Sequence, residues 1–504
     1  MSNRLFDTLL APHRENPRTL LKLTDGSTRS YAEMLSLSAQ LANTLQEIGA
    51  VPGDRVAVQL EKSPEALAIY FACIQAGLVF LPLNTAYTSA EVAYFVADAE
   101  PSVVVADARK YNSLREVAQN NGARLTILNA DGSGELTKRA ASQPNTFDTC
   151  PRDPRDLAAI LYTSGTTGRS KGAMLSHENL LSNAQTLAKT WQFSQNDVLL
   201  HALPIYHVHG LFVATNVLMV VGGSMIFLTK FDATEVIRVM PEATAMMGVP
   251  TFYTRLLSHE EFTRKVTSHM RLFISGSAPL LSETHETFAT STGHRILERY
   301  GMTETGMNTS NPYGGERRAG TVGFPLEGVE LKITDPETGM EKTNGEIGVI
   351  EVRGPNVFEG YWQMEEKTRE ELRDDGFFIT GDLGLIDQDG YVHIVGRAKD
   401  LIISGGFNVY PKEIETEIDD IEGIEESAVF GIFHPDFGEG VVAAIVLQNG
   451  ASLTETDVKL NLKDRLAAFK CPKRVLLLEA LPRNTMGKVQ KKLLREKNAS
   501  LFKK

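Results

Sequence analysis

From Val56 onward the hydrophobic pattern keeps changing period, and this restricts the fold more than any other feature of the chain. VAVQL (56–60) is an apolar run of strand length. SPEALAIYFACIQAG follows it and reads as a helix with Ser63 as N-cap and Pro64 in the first turn. FLPLN, a helix opened by Thr88 or Ser89, SVVVAD, a further helical stretch and RLTIL continue the alternation. Strands that alternate with helices need crossover connections, so a mostly parallel sheet is expected. A second series runs from about residue 180 to 300, with MIFL and MRLFIS as strands.

After about Gly320 the character changes. VELKITD, IGVIEVRG, FFITGDLGLID and YVHIVG are separated by DPETG, TNG and DQDG, which are hairpin signals, so a small antiparallel region is expected. Beyond GRAKD (396–400) come the helix PKEIETEIDD, the strand pair SAVFGIF and VVAAIVL, and a basic end. The expectation is an α/β chain with a large N-terminal domain of stacked, mostly parallel sheets over residues 1–398. A small α+β domain would fill 399–504. A chain of 504 residues is long enough for both cores.

Lys and Arg number 51 against 63 Asp and Glu, a net charge of −12, which disfavours a general nucleic-acid surface. Cys73, Cys150 and Cys471 match no metal-ligand spacing and fit a reducing compartment. Residues 1–16 lack the apolar stretch of a secretory signal. LFVATNVLMVVGGSMIFL (211–228) is interrupted by Thr, Asn, Ser and paired glycines, so it reads as a buried helix–turn–strand and not a membrane span. A cytoplasmic protein with no nucleic-acid or membrane partner is expected.

The stretch LYTSGTTGRSKGAML (161–175) carries the chemistry. Gly165, Gly168, Lys171 and Gly172 do not have Walker A spacing, and both flanks look extended, with no helix capped before Ser176. The loop therefore joins two strands. Its amides, the hydroxyls of Thr163, Ser164, Thr166 and Thr167, and the charge of Lys171 can surround a polyphosphate.

This loop resembles the phosphate-loop signature of the adenylate-forming superfamily of acyl-CoA synthetases, aryl-CoA ligases, adenylation domains and firefly luciferase. LPIYHVHG (203–210), GSAPL (276–280), ERYGMTET (298–305), TGDLG (380–384), GRAKDLIISGGFNVYPKEIE (396–415) and PRNTMGKVQKK (482–492) agree in the family's order. The resemblance implies a two-step reaction. A carboxylate attacks the α-phosphate of ATP to give an acyl-adenylate and pyrophosphate, and the thiol of coenzyme A then displaces AMP.

By the same resemblance Lys488 bridges the carboxylate and the α-phosphate, Thr303 contacts an α-phosphate oxygen, and Glu304 holds Mg²⁺, which prefers oxygen ligands. Glu298, Arg299, Tyr300, Gly301, Met302 and Thr303 line the nucleotide, with Tyr300 stacked on adenine and Gly276, Ser277, Ala278 and Pro279 as the opposite wall. Asp382 takes the ribose hydroxyls with Arg397 beside it; a structural salt bridge between the two is the alternative. Lys399 is the position where the family pivots its mobile C-terminal domain, and Ser404, Gly405 and Gly406 approach the pantetheine arm of CoA. Lys491 and Lys492 read as solvated lysines, and Lys488 as open to acylation, which would remove its charge.

The acid would be met by His207, Arg255, Arg299 and Met307. Arg299 is a forked permanent cation that suits a second carboxylate, unless it pairs with Glu298 or another acid. ERYGMTET, with Arg255 in GVPTFYTRL, resembles the malonyl- and methylmalonyl-CoA synthetases, which implies a small dicarboxylic acid. The apolar 211–228 segment would suit a short-chain or aromatic monocarboxylate equally well. An amino-acid or carrier-loading enzyme needs an acid for the substrate's ammonium, which Asp232 could supply. A light-emitting oxygenase and a non-catalytic ATP-binding module are the remaining alternatives.

Overall fold

The computed structural model describes residues 2–163, 170–404, 407–463, 465–484 and 487–502. The chain divides into two compact units, one of Met1–Glu330 with Val352–Phe378, the other of Leu331–Glu351 with Ile379–Lys504.

The first unit is α/β. One sheet runs in the order Arg124–Ile127, Val103–Ala106, Arg55–Gln59, Val79–Pro82, Leu157–Thr163, Lys171–Ser176. Its pairs are parallel except the last. The local signals behave as read. Ser63 accepts from the amide of Ala66 to open the helix Pro64–Ala76. Thr88 and Glu91 form a reciprocal capping box at the helix Ser89–Ala99. Leu157–Thr163 and Lys171–Ser176 pair antiparallel with Thr163 opposite Lys171, and Ser176 caps the following helix His177–Thr190. The segment between them is thus a strand-to-strand connection. Ser164, Gly165, Thr166, Thr167 and Gly168 fall outside the described residues.

The larger sheet of this unit places the site. Val198–His201, Ala245–Gly248, Leu272–Ser275 and Leu297–Met302 are neighbours and parallel. Their carboxyl ends therefore share one edge, and the segments leaving that edge are 202–209, 249–257, 276–280 and 303–305. In open parallel sheets this edge is where ligands bind. Behind it Leu200, Met246, Tyr253, Phe273, Phe288 and Ile296 form a closed core. The 211–228 stretch folds as a buried π-helical turn, His209–Thr215, a helix, Asn216–Val221, and the strand Ser224–Phe227, turning at Gly222 with φ +71°. Among the described residues no helix is long and apolar enough to cross a membrane.

In the second unit the antiparallel region reads true. Glu330–Thr334, Gly348–Arg353, Phe378–Ile386 and Val392–Arg397 form a sheet in that order. A further sheet holds Phe407–Val409, Ile402–Ser404, Gly438–Leu447 and Ile424–His434, with Arg474–Leu478 parallel to Gly438–Leu447. It packs Ile402, Val429, Val441 and Ile445 against Ile414 and Ile418 of the helix Pro411–Asp419. Residues 331–351 and 379–398 thus belong with this unit, while the sequence expectation had grouped them with the N-terminal part.

Candidate active site

Arg299 lies in the strand Leu297–Met302 with 4% of its surface exposed. Side chains alternate along a strand, so Glu298 and Arg299 face opposite ways. Glu298 turns to His285, whose Nδ1 is 3.1 Å from its Oε1, and takes the amide of Gly320 at 3.3 Å. Among the described residues Arg299 has no carboxylate partner. Its Nε and Nη2 are buried and make no hydrogen bond among the described residues. Burial pulls it down to about 9, which leaves it cationic at neutral pH.

The surroundings of Arg299 are specific. A Cβ on Gly276 would come within 2.3 Å of the guanidinium carbon, so only glycine lets the side chain pass over the GSAP turn. Tyr253 stands beside it and donates to the Ile274 carbonyl at 2.5 Å. His209, also buried, contacts Ser277 Oγ through Nδ1 at 3.2 Å, while its Nε2 has no hydrogen-bond partner among the described residues. Burial, then the charge of Arg299, holds His209 well below the ordinary imidazole value, so it is neutral. Ser277 adopts φ +70°, a left-handed conformation that serine rarely takes. Ala278 is half-buried and Pro279 exposed on the same turn. Replacing Gly276 by alanine is expected to displace Arg299 and lower kcat/KM for a dicarboxylic acid by about tenfold or more, as a packing clash of this kind costs about 1–3 kcal/mol. Comparing the variant on malonate and butyrate checks this, since malonate, which calls on Arg299, should suffer more.

Met307, 2% exposed, completes this side. The amide group of Asn183 grips its backbone from both sides, accepting from its N–H at 3.1 Å and donating to its carbonyl at 2.9 Å. Tyr300, Gly301, Met302 and Thr303 are half-buried, along the sheet edge and the turn that leaves it. A Cβ on Gly301 would meet the Gly306 carbonyl at 2.0 Å, which fixes the tightness of that turn.

A second cluster gathers around Glu304, 5% exposed. Tyr361 Oη lies 3.1 Å from Glu304 Oε1 and 2.6 Å from Glu371 Oε2. Thr163 Oγ1 lies 3.5 Å from Glu304 Oε1. Lys171 is buried, with Nζ 3.2 Å from both oxygens of Glu371 and 4.0 Å from the centre of the Tyr361 ring. Burial alone would raise Glu371, but hydrogen bonds from Tyr361 and Lys367 and the charge of Lys171 hold it below the usual carboxylate range.

Of the other expected residues, His207 meets the first cluster through its bond to His209, and Arg255 and Asp232 join neither. Arg255 is on the exposed face of the helix Pro250–Leu257, whose buried face carries Tyr253 and Leu256, so it is withdrawn from the buried pocket around Arg299. His207 is half-buried and accepts from the amide of His209 at 3.3 Å. Asp232 is exposed and caps the helix Ala233–Val239, which removes it as a receiver for an ammonium group.

In the second unit Asp382 and Arg397 lie opposite each other on paired strands, with Arg397 Nε 2.6 Å from Asp382 Oδ1. The salt bridge that the sequence left as the alternative is thus present in the strand register. Lys399 is exposed in the turn Ala398–Asp400. Ser404 is buried at the end of its strand, and Gly405 and Gly406 lie outside the described residues. Lys488 is exposed; its carbonyl accepts from the Asn484 amide and its own amide donates to Asn484 Oδ1, both at 2.9 Å, while Gly487 turns with φ +74°. Lys491 is not solvated: its Nζ pairs at 2.6 Å with the buried Glu415, whereas Lys492 is open.

The sequence reading missed His209, Tyr253, Tyr361 and Glu371. HVHG offers two histidines with nothing to rank them, and Glu371 hides in the acidic helix Glu365–Glu371, which reads as a solvated face.

The family model for AMP-binding enzymes matches residues 11–362, and that for the AMP-binding enzyme C-terminal domain matches 413–488. The crystal structure of ATP-bound MatB from Rhodopseudomonas palustris superposes with a TM-score of 0.98 at 56% identity, covering 100% of both chains. A malonate–CoA ligase of Arabidopsis thaliana is 34% identical over 520 residues, spanning 94% of this chain and 85% of the relative. A long-chain-fatty-acid–CoA ligase of Bacillus subtilis is 32% identical, spanning 94% and 90%. Relatives of similar identity thus carry names with very different acids, so the family follows from the match while the acid must be argued from the site. Motif order, fold and match together place this chain in the AMP-binding enzyme family.

Proposed function

We propose that the protein is an ATP-dependent acid–CoA ligase that forms malonyl-CoA, or its methyl-substituted homologue, through an acyl-adenylate. One carboxylate oxygen of the acid attacks the α-phosphorus and pyrophosphate leaves. The thiol of CoA then attacks the acyl carbon, AMP leaves as the C–O bond breaks, and the thiol proton passes to solvent. The observation that carries the choice of acid is Arg299, a buried cation with two donors unpartnered, set over Gly276 and beside neutral His209. A buried cation without a counter-ion is costly, and a second carboxylate of the substrate relieves that cost. With Ser277 donating to His209 Nδ1, the proton on Nε2 adds a donor for the same carboxylate.

In this reading Tyr300 and the 276–279 turn flank adenine, Thr303 and the 163–168 loop bind phosphate oxygens, and Asp382 takes the ribose hydroxyls while Arg397 orients it. Lys488 neutralises the charge that gathers at the α-phosphate during adenylation, Lys399 is the hinge, and Ser404–Gly406 line the pantetheine arm. Among the described residues no three His, Cys, Asp or Glu form a metal cluster. A single buried carboxylate, Glu304, flanked by the oxygens of Thr163 and Tyr361, suits a magnesium ion that draws its other ligands from nucleotide phosphates and water. Bound there, the ion would offset phosphate charge. Acylation of the exposed Lys488 would switch adenylation off, and a cytoplasmic site of action fits the need for ATP and CoA.

The test is CoA-ester formation from ATP, CoA and Mg²⁺ with malonate, methylmalonate, succinate, acetate, butyrate and benzoate. Malonate or methylmalonate should lead by at least about tenfold in kcat/KM, the discrimination worth one well-made polar contact. A leading monocarboxylate overturns the choice of acid and leaves Arg299 as a structural residue.

A further inference from the structure

Lys171 leaves the proposed polyphosphate loop at its C-terminal end, yet its ammonium is held by protein groups. The residue is 8% exposed, so its charge needs a counter-charge at rest, and Glu371 supplies both carboxylate oxygens at 3.2 Å. The two residues are 200 positions apart, joined only by the fold.

Glu371 does not depend on Lys171 in return. Lys367 Nζ lies 3.0 Å from its Oε1, and Tyr361 donates to its Oε2 at 2.6 Å. If Lys171 turned away, Glu371 would keep one cation and one hydroxyl donor. The pair is therefore asymmetric: among the described residues the lysine has a single anionic partner, while the acid has spare donors. The direction in which Lys171 can turn is also set. Its Nζ rests 4.0 Å above the Tyr361 ring, and the phenol oxygen of that ring reaches Glu304, at 3.1 Å, as well as Glu371. The resting lysine is thus one ring's width from the Glu304–Thr163 end of the cluster, where the phosphates are proposed to bind.

We propose that Glu371 is the resting counter-ion of Lys171 and competes with pyrophosphate for it, so that recapture of the lysine helps to expel the product. This rests on the reading of residues 163–171 as the phosphate loop. Glu371 touches no reacting atom; it acts through Lys171 and is a positioning residue. An ammonium already satisfied by protein adds little to ground-state ATP binding, and it must be prised from Glu371 before it can bind pyrophosphate, which keeps that product from binding too tightly.

Inhibition of CoA-ester formation by added pyrophosphate, at saturating Mg²⁺ and with the best acid, tests the proposal on the full chain. Removing the competing charge in Glu371→Gln should lower the inhibition constant about fivefold, the value of roughly 1 kcal/mol for a partly exposed pair. Lys367→Met should raise it about twofold, because Lys171 is then the one cation left on Glu371 among the described residues. A structural role for the pair would not move the constant in opposite directions in the two variants. A folded Glu371→Gln protein, judged by its thermal midpoint, whose constant equals or exceeds the parent's overturns the proposal. If that variant does not fold, an unchanged or lowered constant in Lys367→Met does so. A parent that forms CoA esters yet is not inhibited by pyrophosphate overturns the phosphate-loop reading as well.

Discussion

Replacing Arg299 with leucine is expected to lower kcat/KM for malonate by about 10²–10³-fold, while the thermal midpoint stays at or above that of the parent. The two outcomes have one cause. Without ligand, Arg299 is a desolvated cation with Nε and Nη2 unpartnered, so the fold carries its cost and leucine removes it. With malonate bound, the same group faces a carboxylate in a buried site, and truncating one partner of such a pair costs about 3–5 kcal/mol because the other charge stays buried alone. Activity on butyrate should hold or rise, since a monocarboxylate leaves that end of the pocket apolar. Steady-state kinetics on both acids, with a melting curve, decide the matter. A variant that melts well below the parent and loses both acids equally would make Arg299 a packing residue.

Removing the Lys488 charge is the second large effect. Lys488→Ala should slow acid-dependent ATP–pyrophosphate exchange by about 10²–10³-fold, the usual loss when one group stabilising transition-state charge is deleted. Apparent affinity for ATP should change by less than about threefold, because a cation recruited mainly as charge develops contributes little to ground-state binding. Lys488 is exposed and its backbone is held by Asn484, so the substitution leaves no cavity and the fold should be intact. Lys488→Gln, which copies the charge loss of acylation, should behave like alanine. A weakened ATP affinity with unchanged maximal exchange would reassign the residue to simple nucleotide binding.

Much of the fold was legible because its signals are local. Ser63 with Pro64 and Ser176 cap the helices they were read to cap, and of Thr88 and Ser89, both read as possible openings, it is Thr88 that caps. The extended flanks of the 164–169 segment pair as antiparallel strands. Apolar runs of strand length, alternating with helical ones, leave a parallel sheet as the arrangement that satisfies every backbone group.

The side-chain partners were not legible, because charges that meet in space need not be close in sequence. Arg255 and Arg299 look equally fit to hold a carboxylate as letters; the helix Pro250–Leu257 turns one to solvent and the strand Leu297–Met302 buries the other. Whether Asp382 pairs with Arg397 stayed open until strand register set one against the other, and Lys491 looked solvated until the fold brought Glu415 to it. Sequence by itself determined the elements, the sheet type and the order of the chemical segments, since caps, periods and turns act over a few residues. Only the tertiary structure decided which charges are buried, which are paired, and that Arg299 is buried with Nε and Nη2 unpartnered among the described residues, because burial and pairing depend on what the rest of the chain packs around each group.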